Sequence, residues 1–186
     1  MRIITGIYKG RAIESFNDRS VRPVTDRVKT TIYNMLQNRL KLSGAAVLDL
    51  FAGSGSLGFE ALSRGARSAV FVDDSENALD VIERNALSLG CSEACAVIRS
   101  DALSYIGKTG ENYDLIFADP PYAYEQTGDI PYLVFEKNLL KENGYLIIEH
   151  SKHVEFKINP TYNLKEMKGF GTTRVSFFTH SKKEER

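Results

Sequence analysis

Val47-Leu48-Asp49-Leu50-Phe51-Ala52-Gly53-Ser54-Gly55-Ser56-Leu57-Gly58 decides how this chain folds. An apolar run leads into Gly-x-Gly-x-x-Gly, and amphipathic sequence follows. That order reads as a buried strand, a glycine turn and a helix. Outward from it, strands and helices alternate. Ala46–Phe51 is strand 1, and the helix after the glycines runs to about Arg64. Ser68–Asp73 is strand 2, Ser75–Leu89 a helix, Cys95–Arg99 strand 3, and a short helix covers Asp101–Ile106. Tyr113–Asp119 is strand 4, Tyr132–Leu140 a helix and Tyr145–His150 strand 5. Two further strands are expected, Val154–Lys157 or Asn163–Met167, then Thr173–Thr179, joined by the turn Gly169-Phe170-Gly171. Alternating βα units that end in a hairpin predict an α/β, doubly wound, mostly parallel sheet with an antiparallel edge.

Upstream, Arg2–Thr5 and Arg11–Glu14 flank Tyr8-Lys9-Gly10 as a β-hairpin. Thr25 or Asp26 caps a helix through about Leu40, which Ser43-Gly44 ends. At 186 residues the chain suits one domain over 1–186: a hairpin and loop at 1–25, a core at 26–181 and a frayed tail at 182–186. No apolar run approaches the ~20 residues of a membrane span, and the first residues lack a signal-peptide core. Cys91 and Cys95 have neither CxxC spacing nor a nearby histidine, so no metal is expected and free thiols in the cytoplasm are the default. Net charge is zero, yet residues 1–45 carry nine Lys/Arg against three acids. That asymmetry points to an N-terminal end facing a polyanion, or else to a solvated helix surface.

The glycine loop fits two cofactor classes. With Asp73 some 20 residues on, it matches the dinucleotide fingerprint. Two features favour S-adenosylmethionine instead. Asp49, just before the glycines, would repel a pyrophosphate and suits an ammonium or sulfonium. Asp119-Pro120-Pro121-Tyr122 occupies the mouth where a nicotinamide would need room. Phe51, Ala52, Gly53, Ser54, Gly55 and Gly58 would surround the ligand, and the Asp73 carboxylate can accept from both ribose hydroxyls. Asp101 would accept from an adenine amine with Ala102 beside the ring, or would simply cap a helix.

Asp119-Pro120-Pro121-Tyr122 is an acceptor-rich turn. Each proline fixes φ and donates no N–H, and the residues before them are held extended. The Asp119 carboxylate and the Asp119 and Pro120 carbonyls can accept from an exocyclic NH₂, while Tyr122 offers a stacking face. The competing reading is a structural Pro-Pro turn. Ala123–Pro131 is a mobile lid beside the base or a plain loop. His150 and His153 are expected at the surface or as caps rather than as catalytic groups, and Glu149 either lines the pocket or, more simply, is a strand-end carboxylate.

Arg22-Pro23-Val24-Thr25-Asp26-Arg27-Val28-Lys29, the stretch Leu48–Ala66 and Asp119-Pro120-Pro121-Tyr122 closely resemble the RsmD-type guanine-N2 methyltransferases of 16S rRNA. The family often has Thr where Val24 stands and Glu where Asp73 stands. The resemblance spans nearly the whole chain. It implies a Rossmann-like class I methyltransferase fold with a seven-stranded sheet, S-adenosylmethionine as methyl donor, and a guanine N2 in 16S rRNA, free or in the assembling small subunit, as acceptor. Arg2, Lys9, Arg11, Arg22, Arg27 and Lys29 would grip RNA phosphates, and Arg22 and Arg27 could instead close over the cofactor. A monomer is expected. Adenine-N6 methylation remains an alternative, because the turn suits any aromatic amine. A nonenzymatic RNA-binding module and a nicotinamide oxidoreductase are the others.

Overall fold

The computed structural model describes residues 1–15 and 25–181. Its elements in chain order are helix α1 (Asp26–Leu36), strand β1 (Ala46–Leu50), α2 (Ser56–Ser63), β2 (Ser68–Asp73), α3 (Glu76–Leu89), β3 (Cys95–Arg99), α4 (Ala102–Lys108), β4 (Tyr113–Ala118), α5 (Ile130–Glu136), β5 (Leu140–Ser151), β6 (Tyr162–Phe170) and β7 (Thr173–His180). Seven strands form one sheet in the order β3-β2-β1-β4-β5-β7-β6. The first five run parallel. β7 runs against both β5 and β6, so the antiparallel pairing lies at one side of the sheet.

β1 is buried at every position, as a central parallel strand must be. Its alternation assigns two cores. Val47 joins Leu115, Phe117 and Ile147 beneath α1, α2 and α3. Leu48 and Leu50 join Ile116, Ala118 and Ile148 beneath α4 and α5. The strand order reverses between β1 and β4, and at such a switch point the carboxyl ends of the strands open a crevice. Both Asp49 and Asp119 arrive there.

Several boundaries differ from the sequence reading, each for a local reason. α1 stops at Leu36, since Gln37–Arg39 are exposed and have nothing apolar to bury. The helix expected at Tyr132–Leu140 starts at Ile130 and ends earlier, where Asn138 takes a left-handed φ of 53°. β5 starts at Leu140, and an irregularity against β4 takes up the residues before Tyr145. Val154–Lys157 is not a strand; the hairpin partner is Tyr162–Phe170. The tail expected at 182–186 lies outside the described residues.

The N-terminal hairpin is reduced to a bridge between Arg2 and Ala12. The N–H groups of Ile4 and Thr5 turn instead to the Glu60 carboxylate at 2.7 and 3.0 Å. Ser63 extends the clamp. Its hydroxyl donates to the Thr5 carbonyl (2.6 Å) and accepts from the Tyr8 N–H (3.0 Å). Gly6 has φ 92°, and a Cβ there would sit 1.8 Å from the Ser63 carbonyl oxygen. The segment is therefore sealed onto α2, the helix that the glycine loop opens.

Glu60 is fully buried. It is neutralised by Arg64 Nε at 2.9 Å and by the buried Lys29 Nζ at 4.0 Å. Lys29 also donates to the Arg2 carbonyl (2.8 Å) and to Ser56 Oγ (3.1 Å). Burial pulls the Lys29 pKa down, and Glu60 works against that. Removing one partner of a buried pair leaves an uncompensated charge. Glu60→Ala is therefore expected to cost about 3–5 kcal/mol in urea unfolding; a loss of a few tenths would show that the clamp contributes little.

Candidate functional site

Left-handed backbone shapes the loop after β1. Phe51 has φ 56°, Gly53 57° and Gly55 74°. Phe51 is the exception among them, since a side-chain-bearing residue with φ > 0 is uncommon and concentrates at functional sites. Hydrogen bonds hold the loop from below. Asp73 at the end of β2 accepts from the Gly53 N–H (2.9 Å) with one oxygen and from the Ser75 N–H (3.0 Å) with the other. A carboxylate offers about four acceptor positions, so two remain for a ligand.

Asp49 is buried under the first turn of α2 and accepts from the Gly58 N–H at 2.9 Å. A Cβ at Gly58 would meet Phe71 Cε1 at 2.3 Å and Asp49 Oδ2 at 3.2 Å, so only glycine allows this approach. Burial raises the Asp49 pKa to about 8; the Gly58 N–H opposes the shift and the Asp73 charge adds to it. Asp119 stands at the carboxyl end of β4, half-buried, and its N–H points to the Leu50 carbonyl at 3.4 Å. Burial, then the charges of Glu149 and Asp49, push its pKa well above the carboxylate range. Like charges crowded at one mouth favour a cation.

An open cleft of about 350 Å³ lies over the ends of β2 and β3. Phe51, Val72, Ala102, Pro121 and Tyr124 give it flat apolar walls, and Asp73 and Asp101 sit at its rim. Asp101 does cap α4, its Oδ1 accepting from the Ser104 N–H at 2.8 Å, while Oδ2 faces the Tyr124 hydroxyl at 3.4 Å. Capping and ligation use different oxygens, so one does not rule out the other.

Pro120 is buried and Pro121 exposed. The Tyr122 hydroxyl is tied to Thr173 Oγ1 at 2.6 Å while the residue stays 57% exposed, which fixes an accessible ring at the rim. The segment 123–131 is not an open strap. Thr127 and Ile130 are buried, Tyr124 N–H donates to the Pro121 carbonyl, and Gly128 lies against the Glu155 backbone. Glu125–Asp129 form a short 3-10 helix that leads into α5, so the segment is more ordered than the plain loop expected.

The basic residues divide. Arg2, Lys9 and Arg27 are exposed. Arg11 donates to the Leu89 carbonyl (3.0 Å) and the Ser88 carbonyl, capping the last turn of α3. Lys29 has no surface at all, so the expectation that it grips phosphate is corrected: its charge serves Glu60. Arg22, with Pro23 and Val24, lies outside the described residues. His150 is also corrected. It lies on β5, buried with the Phe156 ring edge-on at 4.8 Å and bonded to Ser176 Oγ of β7 at 2.8 Å. Among the described residues no His/Cys/Asp/Glu group could hold a metal, and no helix is long and apolar enough to cross a membrane.

Tyr124 and Asn85 escaped the sequence reading. Tyr124 packs edge-on to Phe51 with ring centroids 4.9 Å apart. Asn85, buried on α3, donates from Nδ2 to the carbonyls of Ser54 (3.1 Å) and Glu14 (3.0 Å) and accepts from the Glu14 N–H (2.8 Å). It ties the glycine loop to the N-terminal segment. One signal was available: a polar residue on the inward stripe Ile82, Ala86 and Leu89 of an amphipathic helix.

The family described as Conserved hypothetical protein 95 matches residues 1–179. Over 158 residues the chain is 39% identical to a Bacillus subtilis protein provisionally named as an rRNA methyltransferase, YlbH, covering 83% of this chain and 85% of that one. It is 37% identical over 156 residues to the ribosomal RNA small subunit methyltransferase D of Haemophilus influenzae, covering 82% and 79%. The solved Escherichia coli protein yhhF, provisionally assigned as a methyltransferase, superposes with a TM-score of 0.86 at 28% identity over 98% of this chain and 99% of that one.

Asn85→Leu removes a donor from two backbone carbonyls and an acceptor from a backbone N–H. Unsatisfied buried groups cost about 1–3 kcal/mol each, so denaturant unfolding should show a loss of that order. Hydrogen exchange at Glu14 should rise with it; unchanged exchange would mean that the segment does not depend on this bridge.

Proposed function

The chain belongs to the RsmD-type family of ribosomal RNA methyltransferases, and from that premise we propose that it transfers a methyl group from S-adenosylmethionine to the exocyclic N2 of a guanine in small-subunit rRNA. One observation carries the reading. Buried or half-buried carboxylates, Asp49 and Asp119, converge at the switch point beside a donor-poor Pro-Pro turn. Such a mouth suits a cation on one side and an aromatic amine on the other.

The residues fit the donor. Asp73 would take the ribose hydroxyls with its spare acceptor positions. Phe51, Val72, Ala102, Pro121 and Tyr124 would sandwich the adenine, with Asp101 accepting from its amine. Asp49 would balance positive charge from beneath, and the backbone of Ala52–Gly55 would approach the ligand closely. When bound, the sulfonium supplies an electrophilic methyl and leaves as a neutral thioether.

The rest is alignment by this chain. The N2 lone pair is delocalised into the guanine ring and is a weak nucleophile. Bonds from its two hydrogens to Asp119 and to the Pro120 carbonyl would turn the nitrogen toward sp³ and aim the lone pair at the methyl. Tyr122, held by Thr173, would stack on the base. Well-aligned groups can supply about 7–11 kcal/mol. As the N–C bond forms, the nitrogen becomes cationic and loses one proton. The positive charge of a bound sulfonium would favour ionised Asp119, and its raised pKa then suits that carboxylate to take the proton late. The base must leave its stack or come from an open loop. Arg2, Lys9 and Arg27 would meet the phosphates, a salt-dependent contribution.

Calorimetry should find binding of S-adenosylhomocysteine and none of NADH; the opposite preference contradicts the cofactor assignment. Asp119→Ala should cut turnover about 10²-fold or more while S-adenosylhomocysteine binding stays within a few-fold; undiminished turnover removes Asp119 from the chemistry.

Asp49 also sets a pH signature. Its folded pKa of about 8 lies above the ordinary 3.8, so its contribution to stability is present below the unfolded value and is lost as pH rises toward 8. A bound sulfonium favours the ionised form. At pH 7, S-adenosylmethionine binding should release more protons than binding of the neutral thioether, read as buffer-dependent heats; equal release would separate Asp49 from the sulfonium. Lys9→Glu with Arg27→Glu should weaken rRNA binding and flatten its salt slope by about 1 for each phosphate no longer neutralised; an unchanged slope would take them out of the interface.

A further inference from the structure

Cys91 and Cys95 lie at the opposite end of the sheet from the cleft, where α3 turns into the amino end of β3. They are the only cysteines of the chain, and both are free thiols. The turn between them, Ser92–Ala94, folds back tightly enough to bring the sulfurs to 3.9 Å. Cys95 Sγ points at the Cys91 carbonyl at 3.2 Å. Cys91 packs into the core with Cys95 against it, but the proposed methyl transfer makes no use of the two thiols.

Its surroundings activate one sulfur over the other. Arg11, anchored on the last turn of α3 and lying over the Tyr8 ring at 6.0 Å, places a cation near Cys91. The Cys95 S–H, the Arg11 charge and Tyr8 draw the Cys91 thiol below its ordinary pKa, against the effect of burial. Cys95 moves strongly upward, chiefly because its S–H serves Cys91. A thiolate held next to a protonated thiol is the arrangement of an attacking and a resolving cysteine. Cys91 is 6% exposed, which admits only a small oxidant.

We propose that Cys91 and Cys95 form a reversible, peroxide-reactive disulfide site beneath the N-terminal segment, with Cys91 as the attacking sulfur and Cys95 as the resolving one. The Cys91 thiolate attacks one oxygen of hydrogen peroxide, breaking the O–O bond. The departing hydroxide takes a proton and leaves as water, and Cys91 becomes a sulfenic acid. Cys95 sulfur then attacks Cys91 sulfur; the S–O bond breaks, and the hydroxide takes the Cys95 proton as a second water. Two thiols are oxidised by two electrons and one peroxide is reduced.

Intact mass and thiol titration after peroxide treatment of the full chain test this. Both thiols should disappear together, with loss of two hydrogens per chain, no disulfide-linked dimer, and full recovery in dithiothreitol. Cys95→Ser should gain a single oxygen at Cys91, trapped by unfolding the oxidised protein in dimedone and located by peptide mass, and Cys91→Ser should give no comparable adduct at Cys95. Both variants replace sulfur by oxygen at little change in volume, and circular dichroism checks their folding. Sulfinic acid without an intrachain disulfide, dimers only, or trapping at Cys95 in place of Cys91 would each overturn the assignment.

Discussion

The bond from the Gly58 N–H to the buried Asp49 carboxylate is the constraint on which the rest depends. It seats the first turn of α2 against the end of β1 at a distance that only glycine at 58 permits. That seating orients the glycine loop, and Asp73 fixes the loop from the neighbouring strand. The loop in turn holds Phe51 in a left-handed conformation against Tyr124, forming one wall of the cleft. A single polar contact thus links backbone geometry, pocket shape and local charge. Its cost is also visible. A carboxyl placed there resists ionisation, and a positive ligand is the natural relief.

Around this centre the N-terminal segment acts as a second scaffold. Glu60, Ser63 and Asn85 receive its backbone groups, so the piece that carries Lys9 and Arg11 is bonded to the helix and the loop that would hold a cofactor. The proposed RNA-facing surface and the candidate site therefore share one support. Arg11 shows how charge can mislead: a basic residue in a basic region spends donors on the carbonyls that end α3.

Much of this was legible in the residues. Strands β2 and β3 fall where composition places them, because short apolar, β-branched runs between turn residues mark both the buried β2 and the half-exposed edge strand β3. The glycine loop and the Pro-Pro turn announce their backbones through residue types that have few other conformations. What was not legible depends on partners distant in sequence. Lys29 reads as a surface cation until Glu60, on another helix, is seen to bury it. His150 reads as a surface residue until Phe156, beyond the end of β5, and Ser176, on β7, are seen to enclose it. Asn85 is a polar break in an apolar stripe whose meaning lies in Ser54 and Glu14. The sulfur pair is i,i+4, yet only the tight turn between the two cysteines brings them together.

The most direct measurement incubates the protein with isotopically labelled methyl donor and unmodified small subunits or 16S rRNA, then identifies the labelled nucleoside by mass spectrometry. The account requires N2-methylguanosine. Label in N6-methyladenosine would transfer the same notch to another amine, and an absence of label from both substrates would contradict the account at its root.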